Sequence, residues 1–219
     1  VVSEDPDKTL SNKEFPWLSY RDIEIGMCPI RALRVAYTGE LGWELHHPIE
    51  MQNYLLDILL SSGEEFDLKL VGARAQNWLR QEKSYKAFGS DLGRDAGPFE
   101  SNLSRFVDIN KNFLGKDALL KRKTEVSCVT LLIDGPKDID PWGREALYNE
   151  TEEVMLGRLT SAGYSVHFKR SIGIGYVKSS FSEVGTKLRI KIDDAFWNAE
   201  IVRDSPYDPQ NERIIDRAQ

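Results

Sequence analysis

Hydrogen-bonding side chains crowd one short stretch, Arg31-Ala-Leu-Arg-Val-Ala-Tyr-Thr-Gly-Glu-Leu-Gly-Trp-Glu44-Leu-His-His-Pro48. A turn at Gly39 and Gly42 would fold it into a hairpin and bring Tyr37, Glu40, Glu44 and His46 together. An ionised carboxylate is an acceptor-only group that takes two parallel hydrogen bonds from a flat N–H/NH2 edge. A pterin or a guanine presents such an edge. Tyr37 would add an aromatic wall with a polar tip. The same stretch also reads as a plain structural hairpin, the two glycines serving the turn and Trp43 the core.

A second set lies downstream. The spacing predicts a helix over 71–83, with Val71, Ala75, Trp78, Leu79 and Glu82 on one face and Arg74, Asn77 and Gln81 on an adjacent polar line. Arg74 reads equally as a local cation for a ligand or as part of a solvated face. Glu82 is odd on an apolar face, because an unpaired buried carboxylate is costly, so it is expected to pair with Arg80 or Arg74. Tyr85 follows that helix as a core aromatic or a ligand contact.

Other chemistries find no support. Cys28 and Cys128 are a hundred residues apart, without CxxC or Cys/His ligand spacing, and are expected to be two buried thiols of a reducing compartment. His46 and His47 are adjacent and on a strand would face opposite ways; His167 sits in a polar loop and is expected to be exposed. Gly173-Ile-Gly175 is an isolated GxG among strand residues, and neither GxSxG nor HExxH occurs.

The elements that must position these groups are legible from periodicity. A lead-in to about Phe15 precedes a strand over 30–38, the glycine turn, and a second strand from Trp43 to His47. Pro48 opens a helix through Met51, Leu55, Ile58 and Leu59, with Gly63 placed as its C-terminal cap. After the 71–83 helix comes a loop-rich connection over 86–110 and a short helix over 116–121. Five apolar runs follow, at 126–133, 154–160, 172–177, 187–192 and 196–202, separated by turn-forming residues. An α+β part over 1–122 and an all-β part over 123–219, a small barrel or sandwich, are therefore expected.

Composition bounds the function. The 219 residues are 41% hydrophobic and 29% charged, a balance that suits a globular chain with a sizeable core. The longest apolar runs are far shorter than the roughly 20 residues of a membrane span. Residues 1–110 hold 12 Lys+Arg against 18 Asp+Glu, and the remainder holds 17 against 17. An acidic first half argues against nucleic-acid binding, and an anionic ligand would need local donors. The chain opens Val-Val-Ser-Glu-Asp, without Met or a basic-then-apolar leader, from which a fragment of a longer protein is expected.

The motifs together carry a resemblance. Tyr37-Thr-Gly-Glu-Leu-Gly-Trp-Glu44, Leu70-Val-Gly-Ala-Arg74-Ala-Gln-Asn-Trp-Leu-Arg80-Gln-Glu82-Lys-Ser-Tyr85 and Gly89-Ser-Asp91 resemble the aminomethyltransferase family, the T-protein of the glycine cleavage system. So do Phe113-Leu-Gly-Lys-Asp-Ala-Leu119, Gly157-Arg-Leu-Thr-Ser161, Ser171-Ile-Gly-Ile-Gly-Tyr-Val177 and Pro206-Tyr-Asp-Pro209. The wording around the hairpin is most similar to the folate domain of dimethylglycine and sarcosine dehydrogenases. The resemblance implies part of a folate-binding domain followed by a C-terminal β-barrel. It implies a tetrahydrofolate site in which Glu44 holds the pterin, with Tyr37, Arg74 and Tyr85 as further contacts. It also implies that the family's catalytic aspartate lies upstream, in a missing N-terminal half, and that FAD belongs to a missing domain if the parent is a dehydrogenase. A one-carbon unit would pass from a methylated or aminomethyl amine to tetrahydrofolate, in a bacterial cytoplasm or a mitochondrial matrix. The alternative is a non-catalytic folate-binding regulatory or structural paralogue.

Overall fold

The computed structural model describes residues 1–2, 5–135 and 139–215. The chain divides into two compact units, Val1–Gln76 with the last residues from Asp208, and Asn77–Tyr207. No helix among the described residues is long and apolar enough to cross a membrane.

In the first unit, the lead-in forms a one-turn helix, α1 (Pro6–Leu10), with Pro6 at its start and Asp5 accepting from the Lys8 N–H at 3.0 Å. Three antiparallel strands follow in the order β1 (Tyr20–Ile25), β2 (Cys28–Leu33) and β3 (Glu44–His46). Alternation sends Cys28, Ile30 and Ala32 inward, onto Phe15 and Leu55, and leaves Pro29 and Arg31 outside. Gly26, at φ +58, makes the β1–β2 turn, where Tyr54 Oη accepts from the Met27 N–H at 3.0 Å.

The hairpin is shorter than its sequence pattern. Arg34 leaves the ladder: its N–H donates to Ser19 O at 2.9 Å and its carbonyl accepts from Leu18 N at 3.0 Å. Its side chain is 1% exposed, donates to Asn12 Oδ1 at 2.7 Å and lies 4.7 Å from the Trp43 ring centre. Strand pairing therefore stops at Leu33↔Glu44, and residues 34–43 form an irregular connection with Gly39 at φ +84.

A 3-10 turn (Ile49–Met51) leads into α2 (Gln52–Gly63), whose Leu55 is buried in the core. Gly63 is not the cap. At φ −83 it continues into a further 3-10 turn (Glu64–Phe66), and the left-handed residue is Asp67 at φ +53. Gly63 instead makes room for Leu68, whose Cβ would lie 2.6 Å from a Cβ added there.

The second unit takes in the last turns of α3 (Ala73–Glu82), a loop-rich stretch containing a 3-10 turn (Ser104–Phe106), α4 (Lys116–Lys121) and six strands. These are β4 (Val126–Ile133), β5 (Ala146–Tyr148), β6 (Met155–Ser165), β7 (Arg170–Lys178), β8 (Lys187–Ile192) and β9 (Ala195–Val202). They close into an antiparallel barrel in the order β4-β7-β6-β5-β8-β9, which leaves no sheet edge. Leu131, Ile133, Leu147, Leu159, Leu188, Ile190 and Ile201 fill its interior. The barrel half of the sandwich-or-barrel expectation is what forms, with β5 as the closing strand the periodicity does not show.

Candidate functional site

Glu44 opens β3 opposite Leu33, and the next residue on the same face, His46, stands opposite Arg31. The Glu44 carboxylate lies 3.5 Å from His46 Nε2, with the two side chains 56% and 59% exposed. Beside them, an open groove of about 990 Å³ runs over the sheet, lined by Asp22, Leu33, Arg31, His46, His47 and Pro48 among others. Arg31 crosses to Asp22 on β1 with two hydrogen bonds, at 2.8 and 3.1 Å. That hydrogen bond holds the Asp22 carboxyl below the usual range and raises the guanidinium in turn.

Tyr37 and Glu40 lie half-buried in the 34–43 connection, and Arg74 is exposed in the first turn of α3. These belong with Glu44 to the first unit, and Tyr85, half-buried, belongs to the second. Among the hairpin residues, Glu44 and His46 lie within ion-pairing distance of each other. Tyr37, Glu44 and Arg74 stand outside the groove lining.

Around Tyr85 the structure shows a buried polar cluster. Arg80, Gln81, Glu82, Lys83 and Ser84 are five consecutive polar residues, each at most 6% exposed. The Arg80 guanidinium donates to Asn77 Oδ1 (2.9 Å), Tyr85 O (2.6 Å), Asp91 Oδ2 (2.7 Å) and Ser161 Oγ (2.6 Å). Glu82 does not take Arg80 as its partner. Its carboxylate accepts from the Ser165 hydroxyl and from His167 N at 3.4 Å, while the salt bridge of Arg80 goes to Asp91. The expected exposure of His167 is found, with its ring 4.7 Å from that of Tyr207.

Helix α3 ends in a Schellman arrangement: Ser84 N donates to Gln81 O (2.8 Å) and Tyr85 N to Arg80 O (2.9 Å). The left-handed position, usually glycine, is Ser84 at φ +54. Its hydroxyl recovers the backbone cost by bonding Thr130 Oγ1 (2.7 Å) and accepting from Ser205 N (2.8 Å).

Both cysteines are free and buried, as expected. Burial pushes the Cys128 thiol up to about 12, and also the Tyr176 phenol, which shares hydrogen bonds with Ser101 Oγ (2.8 Å) and Asp91 O (2.8 Å). Neither group is poised as a nucleophile at neutral pH. The signal that could have revealed this cluster is the polar run 80–84 at the end of an amphipathic helix, matched by the polar pair Thr160-Ser161 inside an apolar strand.

The crystal structure of glycine cleavage system aminomethyltransferase T from Bartonella henselae shares the fold, with a TM-score of 0.78 at 21% identity over 93% of this chain and 56% of that one. Residues 2–111 match the family model of the GCVT N-terminal domain, and residues 127–208 that of the glycine cleavage T-protein C-terminal barrel domain. The chain belongs to the glycine cleavage T-protein family. Mitochondrial dimethylglycine dehydrogenase of Mus musculus is 36% identical over 211 residues, 93% of this chain and 23% of that protein. The aminomethyltransferase of Caldanaerobacter subterraneus subsp. tengcongensis is 30% identical over 197 residues, 90% of this chain and 52% of that protein. The chain thus spans about a quarter of such a dehydrogenase and about half of such a transferase.

Proposed function

We propose that this chain supplies the reduced-folate-holding part of a one-carbon transfer enzyme of the dimethylglycine or sarcosine dehydrogenase or aminomethyltransferase type. The observation that carries the reading is Glu44, a carboxylate presented at the head of β3 inside the family's Tyr37–Glu44 motif. The residues suit the group chemically. Glu44 is an exposed acceptor for the paired N–H donors of a pteridine, Tyr37 is an aromatic wall, Arg74 is an exposed cation in an acidic half, and Tyr85 is a half-buried aromatic.

When bound, tetrahydrofolate supplies the nucleophilic nitrogen that receives the one-carbon unit. The residues of this chain bind and orient. Glu44 would hold the pteridine edge through its carboxylate, with Tyr37, Arg74 and Tyr85 as further contacts, and holding the reacting nitrogen in place would raise its effective concentration. The acid that would stabilise cationic character in the donor is assigned to sequence upstream of this chain. FAD, if the parent is a dehydrogenase, is assigned elsewhere too. Gly173-Ile-Gly175 lies within β7, where a Cβ at Gly175 would meet Arg158 O at 2.5 Å, so these glycines serve strand packing rather than a phosphate turn. The mitochondrial dehydrogenase relatives fit a mitochondrial setting for the parent, and the bacterial aminomethyltransferase relatives fit a bacterial one.

The test is calorimetric titration of the full-length protein carrying this chain with tetrahydrofolate. Glu44→Ala should weaken binding by about 1–3 kcal/mol, the scale of stranding hydrogen-bond donors. Unchanged affinity removes Glu44 from the site and the reading with it.

A further inference from the structure

In a regular strand, consecutive side chains point to opposite faces, so two neighbours cannot serve one partner. Thr160 and Ser161 of β6 break this rule. Each hydroxyl donates to the same oxygen, Asp91 Oδ1, at 2.6 Å. The cause lies in the strand pairing: Leu159 stands opposite Gly175 and Ser161 opposite Ile174, which leaves Thr160 as an extra residue, a β-bulge. Bulges re-aim side chains and are placed rather than accidental.

What the bulge aims at is one end of a short segment whose other end is Tyr85. Asp91 Oδ2 accepts from Arg80 Nη1 (2.7 Å) and from Ala87 N (2.9 Å), and Tyr176 Oη donates to Asp91 O (2.8 Å). The same Arg80 nitrogen donates to Tyr85 O (2.6 Å), and Tyr85 N donates back to Arg80 O (2.9 Å). Asp91 and Arg80 are both 2% exposed, so these bonds form out of reach of competing water. The segment is fastened at both of its ends to one guanidinium–carboxylate pair, and that pair is fastened to the barrel by the two hydroxyls.

We propose that the bulge at Thr160 and Ser161 is a positioning device: through Asp91 and Arg80 it fixes the backbone of Tyr85 and thereby the direction in which the Tyr85 ring is offered to a reduced folate. The proposal rests on the folate reading for its ligand, and on the hydrogen-bond geometry alone for its mechanical part. Thr160, Ser161, Asp91 and Arg80 are positioning residues; none is required to touch the ligand.

The experiment has two arms. In the first, the full-length protein carrying this chain is labelled with 3-fluorotyrosine, and the Tyr85 resonance is assigned by its loss in Tyr85→Phe. Thr160→Val, isosteric but without the hydroxyl, should shift and broaden that resonance; Thr160→Ser should restore it; Ser161→Ala should act as Thr160→Val does. An unchanged resonance in both Thr160→Val and Ser161→Ala, or failure of Thr160→Ser to restore it, overturns the positioning role. In the second arm, the full-length protein is titrated with 5-formyltetrahydrofolate, a stable reduced folate. Thr160→Val should weaken binding roughly three- to ten-fold, the scale of one hydrogen bond, and should add nothing in a Tyr85→Ala background. An equal loss in that background overturns the proposal. If Tyr85→Ala alone leaves affinity unchanged, the folate role of Tyr85 falls while the resonance arm still decides the positioning.

Discussion

Replacing Asp91 tests the buried cluster at its centre. Its side chain is fully buried and faces four donors: Arg80 Nη1 at 2.7 Å, Ala87 N at 2.9 Å, and the Thr160 and Ser161 hydroxyls, each at 2.6 Å. Removing one partner of a buried ion pair costs about 3–5 kcal/mol, because the other charge is stranded. Asparagine falls at the low end of that range, for a reason the geometry supplies. Its oxygen can stay toward Arg80 and Ala87, which donate only, while its NH2 faces the two hydroxyls, which can turn to accept. Thr160 retains Ile174 O at 3.1 Å as an alternative acceptor. Only the negative charge is then lost, at about 3 kcal/mol. Leucine offers no acceptor to any of the four donors and belongs at about 5 kcal/mol. For a chain of this size, 1 kcal/mol corresponds to about 2–4 °C in Tm, so Asp91→Asn should melt about 6–12 °C lower. Urea unfolding followed by far-UV circular dichroism measures both variants, with a shared slope as the check that compactness is unchanged. A loss below about 1 kcal/mol in both, the scale of an exposed pair, or a leucine variant no worse than the asparagine one, refutes the reasoning.

Two further outcomes follow from the second unit. Cys128 and Tyr176 titrate at about 12 in the folded chain, against 9.0 and 10.0 for the free groups. The unfolded chain therefore releases these protons first. Their contribution is complete below about pH 9, and stability should fall as pH rises from there toward 12. Urea midpoints across that range should show the decline, with Cys128→Ala and Tyr176→Phe each flattening it; a flat wild-type profile counts against the burial argument. Gly163 lies under the Trp78 indole, and a Cβ there would fall well inside van der Waals contact of Trp78 Cδ1. Gly163→Ala should cost about 1–3 kcal/mol and alter the near-UV dichroism of Trp78, and an unperturbed spectrum at full stability would show that the ring is not packed as described.

The parts of this fold that were legible are those in which one strand or helix decides its own burial. Leu188, Ile190 and Ile192 alternate with Lys187, Arg189 and Lys191, and β8 begins and ends where that alternation does. The limits of β4 and α4 were likewise readable from their residues alone. β5, with three residues, is too short to carry a period, and in β1 the half-buried face includes Arg21, which hides the alternation of Ile23 and Ile25. The failures at the candidate site have a different cause. Helical spacing offers Glu82 the cations of its own helix, Arg80 and Arg74, yet its partners Ser165 and His167 lie 83 and 85 positions away, brought there by the barrel register. Alternation of its neighbours marks Arg34 as a strand residue, but its backbone is claimed by Leu18 and Ser19. Thr160 and Ser161 show the limit most plainly. Periodicity is a property of a single strand, and by it these two hydroxyls face apart. A bulge is a property of two strands in register, and it is the register of β6 against β7 that turns both hydroxyls onto Asp91. Residue chemistry at the hairpin could be proposed from types and spacing, whereas the geometry that orients Tyr85 depends on a ladder irregularity with no local signature in composition.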